Sequence, residues 1–442
     1  MANTYLSRTN SSSGTSDKIF TYSFWIKRAK VDAEHCIAGA GTSQREFIRF
    51  ESTGELTYRR TSGSAFQFTT LRKFRDVGAW YNIVFNIDSR LSSGGDRVKL
   101  YVNGVSETAV SAATDMGQNY TPKIGAAELQ TIGKDSEQAN PYFDGCMSHV
   151  HFIDGIRYDA SYFGSTDSTT GEWKINTSPS VTYGTNGFTI LKDGNTITDQ
   201  SSNSNNFTLS GGTLTKTEDC PSDVFATLNP LGSGTFTFSN GNNTAIRSTS
   251  SSFHTAISNL GASSGKYYAE AKAISIGSVT YGSYIGFINL DVTNKQNTPG
   301  VNIGEAQDSA GISSGGGYIY YNGNQFAGPT TATTNGDIVN LAMDLDNGRL
   351  YWGINGTYLN SGNPASGSSG TGGMPIANLI AGGTYTFGVS LRNDANYSWN
   401  FGNGYFGTTA IASEGSNASG IGIFEHDVPS GYTALSTKGL NI

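Results

Sequence analysis

Apolar and polar residues alternate with a period of two over short stretches along most of the chain. In "YNIVFNI", Tyr81, Ile83, Phe85 and Ile87 fall on one side, and Asn82, Val84 and Asn86 on the other. That pattern predicts a half-buried strand, because successive strand side chains leave opposite faces. "FTYSFWIKR" places Tyr22, Phe24 and Ile26 on one face. "RVKLYVNGV" sets Val98, Leu100 and Val102 against Lys99 and Tyr101, then reaches Asn103-Gly104. Asn-Gly predicts a type I′ hairpin turn, since both residues tolerate the positive φ it demands. Residues 337–359, "DIVNLAMDLDNGRLYWGINGTYL", carry the signal at Asn347-Gly348 and Asn355-Gly356 and predict a three-stranded meander. No apolar pattern at helical spacing is long enough for a helix. Many short strands at regular spacing predict an all-β chain of two consecutive antiparallel β-sandwich (jelly-roll) domains. The halves share this style without a repeat of fixed period.

Composition strengthens that reading and places the boundary. Gly occupies 57 of 442 positions and charged residues only 14%, against a usual charged share of about 25%. Ser, Thr, Asn and Gly stand where helix formers would be, so turns are abundant. Aromatics at 12% supply enough apolar surface to order the chain. Residues 1–231 hold 21 Lys+Arg and 24 Asp+Glu, whereas residues 232–442 hold 7 and 11. This step predicts domains at 1–218 and 235–442 with a linker at 219–234, where Pro221, Pro230 and small residues cluster. The Gly/Ser-rich stretch 362–375 lies between strands and reads as a long surface loop.

Charge and cysteine usage remove several function classes. A net charge of −7 disfavours nucleic-acid binding, which needs a concentrated basic patch. The nearest approach, Arg72, Lys73 and Arg75 in "LRKFRD", is followed at once by Asp76 and reads as a solvated loop. Cys36, Cys146 and Cys220 are too few for a disulfide framework and read as reduced thiols. The N-terminus lacks the basic and apolar regions of a secretory signal. No apolar run nears the ~18 residues of a membrane span, so no membrane insertion is expected. These readings predict a protein made in a cytoplasm.

Candidate chemistry is sparse. A glucanase would need carboxylates close together on one strand; the near approaches are Asp344-Leu-Asp346 and Asp135-Ser-Glu137, both read as structural. His149 and His151, two apart, are expected on one strand face, and such a pair can hold a metal. No third ligand stands near them in sequence. No Gly-x-Ser-x-Gly elbow occurs. Asp88, Asp96 and Asp154 suit a loop calcium site by residue type alone. Tyr58, Tyr120, Tyr183, Tyr281 and Tyr397 lie in polar, turn-rich surroundings; each alone reads as ordinary surface or core edge, and as a set they suit sugar stacking. The sequence thus assigns no catalytic, cofactor or metal residue and locates no ligand pocket.

Three resemblances add expectations. Phe20–Lys27 ("FTYSFWIK"), Trp80–Ile87 ("WYNIVFNI"), Val98–Gly104 ("VKLYVNG") and Tyr142–Ile153 ("YFDGCMSHVHFI") together resemble laminin-G and concanavalin A-like lectin/glucanase domains, which implies a jelly-roll. "GKYYAE" (265–270), "YIGF" (284–287), "GDIVNLAMDLDNGRLYWGINGT" (336–357), "NFG" (400–402) and "PSGYTAL" (429–435) resemble a SPRY domain, which implies a protein-binding sandwich without catalytic residues. The stretch 199–231, "DQSSNSNNFTLSGG…DCPSDVFATLNPL", is similar to one found in bacteriophage virion proteins, especially of marine phages. The last resemblance implies a non-enzymatic virion component: a tail fibre, tail-tip adaptor or head decoration. Its partners would be other tail or capsid proteins and a host surface glycan or receptor, and it would assemble as a homo-oligomer, a trimer first among the options. A polysaccharide-degrading tail enzyme is the alternative. A SPRY-type ubiquitin-ligase adaptor lacks the expected zinc-ligand spacing.

Overall fold

The computed structural model describes residues 3–442 apart from 64, 138–140, 193, 232–235, 249–250, 278–281, 291–301, 306–307 and 380–382. The chain divides into two compact units, Met1–Lys216 and Thr217–Ile442. Among the described residues the regular structure is strand, joined by turns and short 3-10 segments, and no helix is long and apolar enough to cross a membrane.

The first unit stacks two antiparallel sheets. One runs, edge to edge, through Val110–Thr114, Phe66–Lys73, Glu55–Arg60, Glu46–Phe50, His35–Ala40, Leu129–Ile132, Tyr5–Thr9 and Thr208–Ser210. The other runs through Phe188–Ile190, Gly145–Asp154, Ile19–Arg28, Trp80–Asp88, Val98–Val102 and Val105–Glu107. The alternation read from sequence sorts their side chains. Tyr22, Phe24, Ile26, Ile83, Phe85, Ile87, Val98, Leu100 and Val102 fill the core between the sheets. Val84 and Tyr101, out of phase, pack outside against Ile156, Phe163 and Trp173.

The predicted hairpin turn forms at Asn103 (φ +48°) and Gly104 (φ +77°). A Cβ at Gly104 would overlap the Trp173 ring. Gly104→Ala therefore combines a strained φ with a steric clash and is expected to cost about 1–3 kcal/mol, read as an earlier thermal midpoint. An unchanged midpoint would show that the Trp173 contact is not part of the folded unit.

The second unit repeats the two-layer plan with other strands. A central sheet orders Thr237–Ser239, Thr244–Ile246, Asn396–Asn400, Lys266–Ser275, Ile338–Asp344, Arg349–Ile354 and Thr357–Tyr358. It faces a sheet of His254–Ile257, Tyr385–Leu391, Ser283–Asn289, Ser309–Ser313, Ile319–Tyr321 and Asn324–Ala327. Ala269, Ala271, Ile285, Phe287, Leu341, Trp352, Phe387 and Trp399 lie in the core between them. The predicted meander is present, with one difference in its turns. Asn355 (φ +49°) and Gly356 (φ +79°) both adopt the left-handed conformation, whereas at the earlier turn Gly348 does and Asn347 does not. Asp344 pairs with Arg349 across four loop residues there, so a longer turn replaces the two-residue one.

One expectation is corrected here. The described part of 219–234 is not a linker but a packed edge of the second unit. Phe225, Ala226 and Leu228 are buried, and the Thr437 and Ala226 amides donate to the Val224 and Leu435 carbonyls at 2.9 Å. The Gly/Ser-rich stretch 362–375 lies between strands with exposed residues such as Asn363, Ala365 and Ser368, as expected of a surface loop, and is anchored by the buried Pro364 and Met374 and by the pairing of Met374–Pro375 with Arg349–Ile354.

Candidate functional site

The tyrosines expected at the surface or the core edge are mostly interior. Tyr58 and Tyr397 are fully buried and Tyr120 is nearly so. Tyr397 shares a 2.8 Å hydrogen bond with Ser283, and Tyr183 meets the His151 imidazole at 2.9 Å. Tyr281 lies outside the described residues. Tyr162 is 39% exposed and packs against Tyr158 with ring centroids 4.4 Å apart.

Tyr58 and Tyr120 are inside because they serve a buried carboxylate. Glu46 opens the strand Glu46–Phe50 in phase with Ile48 and Phe50, so alternation turns it into the core. Its carboxylate accepts from the Tyr58 hydroxyl, from Tyr120 Oη at 2.7 Å and from the Lys123 amide at 2.9 Å. Arg60 Nη1 donates to Tyr120 Oη at 2.9 Å. Burial raises the Glu46 pKa, and the donors oppose that shift.

The second unit contains a counterpart. Glu270, on the outer face of the central sheet, is fully buried. It accepts from the Glu425 amide (3.0 Å), the His426 amide (2.8 Å), Asn400 Nδ2 (3.1 Å) and Tyr268 Oη (3.0 Å). It thereby holds the chain around Phe424 over Tyr268, Tyr351 and Tyr432. Burial lifts its pKa to about 7 against these four donors.

The histidine pair is brought together by a different route from the one expected. Between Ser148 and His151 the strand bulges, and His149 adopts φ +48°. An extra residue breaks simple alternation, yet the two rings end 6.3 Å apart. His149 Nδ1 lies 2.7 Å from Ser148 Oγ. His151 stacks on Tyr183 and is kept neutral, its pKa lowered to about 3 by burial and then by His149. No group of three or more His, Cys, Asp or Glu suited to a metal occurs among the described residues.

The calcium candidates serve separate structural tasks. Asp88 grips Arg90 through both oxygens at 3.0 Å, Asp96 pairs with Lys99 at 2.7 Å, and Asp154 accepts from the Thr15, Ser16 and Asn186 amides. The carboxylates weighed for hydrolysis are placed the same way. Asp135 is buried 3.4 Å from Arg45 and accepts from the Glu137 amide. Asp344 pairs with Lys266 at 3.1 Å, and Asp346 accepts from the Gly265 amide at 2.7 Å. Arg72 and Lys73 pair with Glu107 and Glu55. Cys36 is buried, Cys146 and Cys220 are half-buried, and none of the three forms a disulfide.

The Asn-rich stretch after 199 closes the first unit. Asp199 accepts from the Thr189, Ser201 and Asn205 amides, Asn205 Nδ2 donates to the Thr185 and Gly187 carbonyls, and Phe207 packs on Phe188.

With the geometry in place, comparison gives the class of the first unit. Residues 2–161 match the family model of the Concanavalin A-like lectin/glucanases superfamily (Laminin_G_3). The first unit thus carries a concanavalin A-like lectin-fold domain. Among solved structures the chain is similar to the SPRY domain of human HERC1, at 14% identity and a TM-score of 0.31, over 39% of this chain and 96% of that one. It is similar to the TRIM65 PSpry domain at 13% identity and TM-score 0.30, over 40% and 91%. It is also similar to a heptameric SAP-like pentraxin from Limulus polyphemus, at 15% identity and TM-score 0.25, over 34% and 69%. No curated protein matches the chain.

Proposed function

We propose that this chain is a non-enzymatic binding protein of a bacteriophage virion, serving as a tail fibre, tail-tip adaptor or head decoration. It would engage a host surface glycan or protein, or a neighbouring virion protein. The matched superfamily pairs lectins with glucanases by name, and the disposition of the carboxylates favours the lectin side. Glu46, Asp88, Asp135, Asp154 and Asp199 are each turned to backbone amides, tyrosine hydroxyls or cations within their own unit. A glycosidase needs one carboxyl as acid and another as base or nucleophile, both facing the substrate. The resemblance of 199–231 to virion proteins supports the setting, although its residues also have the structural work described above. Many displayed copies would compensate for weak single sites, which favours a homo-oligomer.

The test has two parts. The purified chain should bind host surface polysaccharide without releasing reducing ends, and proteomics of purified virions should find it in fixed copy number. Release of reducing ends that vanishes on changing one Asp or Glu would overturn the binding reading. Absence from virions would overturn the setting.

A further inference from the structure

An edge strand carries main-chain donors and acceptors that its own sheet does not use, and these can pair with another chain. Among the described residues the edge strands are two to five residues long, and the longest is Val110–Thr114, at one end of the eight-stranded sheet of the first unit. On its inner side it pairs with Phe66–Lys73, setting Ala112, Ala113 and Thr114 opposite Thr69, Phe68 and Gln67. Antiparallel pairing turns the amides and carbonyls of alternate residues away from that partner. Ser111, Ala112, Ala113 and Thr114 are all exposed.

Most of the devices that keep edges apart are missing from it. Soluble sheets blunt an edge with lysine, proline, a bulge, brevity or a cover. Val-Ser-Ala-Ala-Thr carries no charge and no proline. Its bulge lies at the start, between Val110 and Ala112, where Ser111 Oγ donates to the Thr69 (3.4 Å) and Thr70 (3.0 Å) carbonyls. Ala112–Thr114 stays regular. The other edges of the two main sheets of this unit are blunted: Phe188–Ile190 is buried, and Val105–Glu107 and Thr208–Ser210 have three residues each. Beside the open edge stand the two most exposed large apolar side chains described in the first unit, Val105 at 64% and Leu71 at 57%. The Leu71 amide donates to the Ala109 carbonyl at 2.9 Å, and Arg72 pairs with Glu107 at 2.6 Å, which draws the ends of both sheets together.

We infer that Ala112–Thr114 pairs with the same strand of a second copy, antiparallel about a two-fold axis through Ala113, and joins two eight-stranded sheets edge to edge. A second copy fits this edge because the pairing sets no like charges opposite each other. Ala112 meets Thr114, and Asp115, the next residue in the chain, meets Ser111. The ladder alone falls short of the roughly 800 Å² per partner of a stable interface. Leu71 and Val105 of both copies border the seam and add apolar area to it. Contact of one patch with its own copy closes at two chains. The inference builds on the homo-oligomer proposed above and adds its surface and its symmetry.

Sedimentation of the full chain at micromolar concentration tests it, with a dimer expected. The double variant Ala112→Lys, Thr114→Lys sets lysine opposite lysine twice across the axis and should weaken the dimer about tenfold or more. Its thermal midpoint should stay that of the parent, because both positions are exposed. If the double variant does not fold, Ala113→Lys alone should weaken the dimer severalfold. On oxidation Ala113→Cys should cross-link copy to copy, and Leu209→Cys, on the strand at the opposite edge, should not. A dimer untouched by the lysines, or cross-linked through Leu209→Cys, would overturn this surface and leave the homo-oligomer standing. A trimer would overturn the two-fold pairing and likewise leave the homo-oligomer standing. A monomer would defeat the inference and the homo-oligomer together.

Discussion

Replacing Glu270 by alanine is expected to lower the thermal midpoint of the second unit by roughly 10 °C and leave that of the first in place. The carboxylate is the common acceptor for the Glu425 and His426 amides, Asn400 Nδ2 and Tyr268 Oη. Its loss leaves buried donors without an acceptor, which costs about 3–5 kcal/mol in total. For a unit of this size each kcal/mol is worth about 2–4 °C. The pH dependence has a definite sign. The folded pKa, at about 7, lies above the ordinary carboxylate value of 4.5, so the folded state binds the proton more tightly than the unfolded chain. The corresponding stability is fully present below about pH 4.5 and lost as pH rises through about 7. Glu270→Gln cannot titrate. The stability of the wild type relative to that variant should therefore fall by about 3 kcal/mol between pH 4.5 and 8. Denaturant melts of both proteins across that range measure it, and a difference that grows with pH would reverse the argument.

The mirror experiment addresses the first unit. Glu46→Ala strands the Tyr58 and Tyr120 hydroxyls and the Lys123 amide inside the core. It should cost about 3–5 kcal/mol and shift only the first unit's transition. Glu46→Gln keeps one acceptor oxygen and should recover part of the loss. If either alanine variant moved both transitions equally, the two units would not melt as separate cooperative bodies.

Much of the architecture was legible because period-two alternation is local. Ile83, Phe85 and Ile87 needed only one another to be placed in the core. Tyr58 and Tyr120 read as surface or core edge because the partner of their hydroxyls is remote: Glu46 lies 12 residues from the first and 74 from the second. A readable signal existed, since Glu46 shares a phase with Ile48 and Phe50, just as Arg28 does with Phe24 and Ile26. A charged residue in apolar phase marks a buried ionic centre, as at Glu46 and Arg28, whereas Glu270 shares its phase with Tyr268 and Lys272 on the outer face and carries no such sign. The bulge at His149 has no comparable local sign. Tyr162 gives no such sign for the opposite reason: it ends a short 3-10 turn capped by Asp159, a setting that alternation does not describe.

The way each unit is fastened bears on the order in which the chain can fold as it is made. In the first, Tyr5–Thr9 pairs with Thr208–Ser210 as well as with Leu129–Ile132. In the second, the stretch from Val224 to Ala226 pairs with residues 435–437, while Tyr267 and Tyr268 align with Thr433 and Ala434. Each unit is therefore completed by backbone that leaves the ribosome about 200 residues after its partner, a separation that closes slowly. Until then the Tyr5–Thr9 strand carries one unpaired edge, and the nascent second unit lacks the cover over Tyr268. Chain emerging at about 5–20 residues per second leaves these surfaces open for roughly ten seconds or more. High-level expression should consequently favour association between unfinished chains, and slower synthesis at low temperature should shift the yield toward closed units.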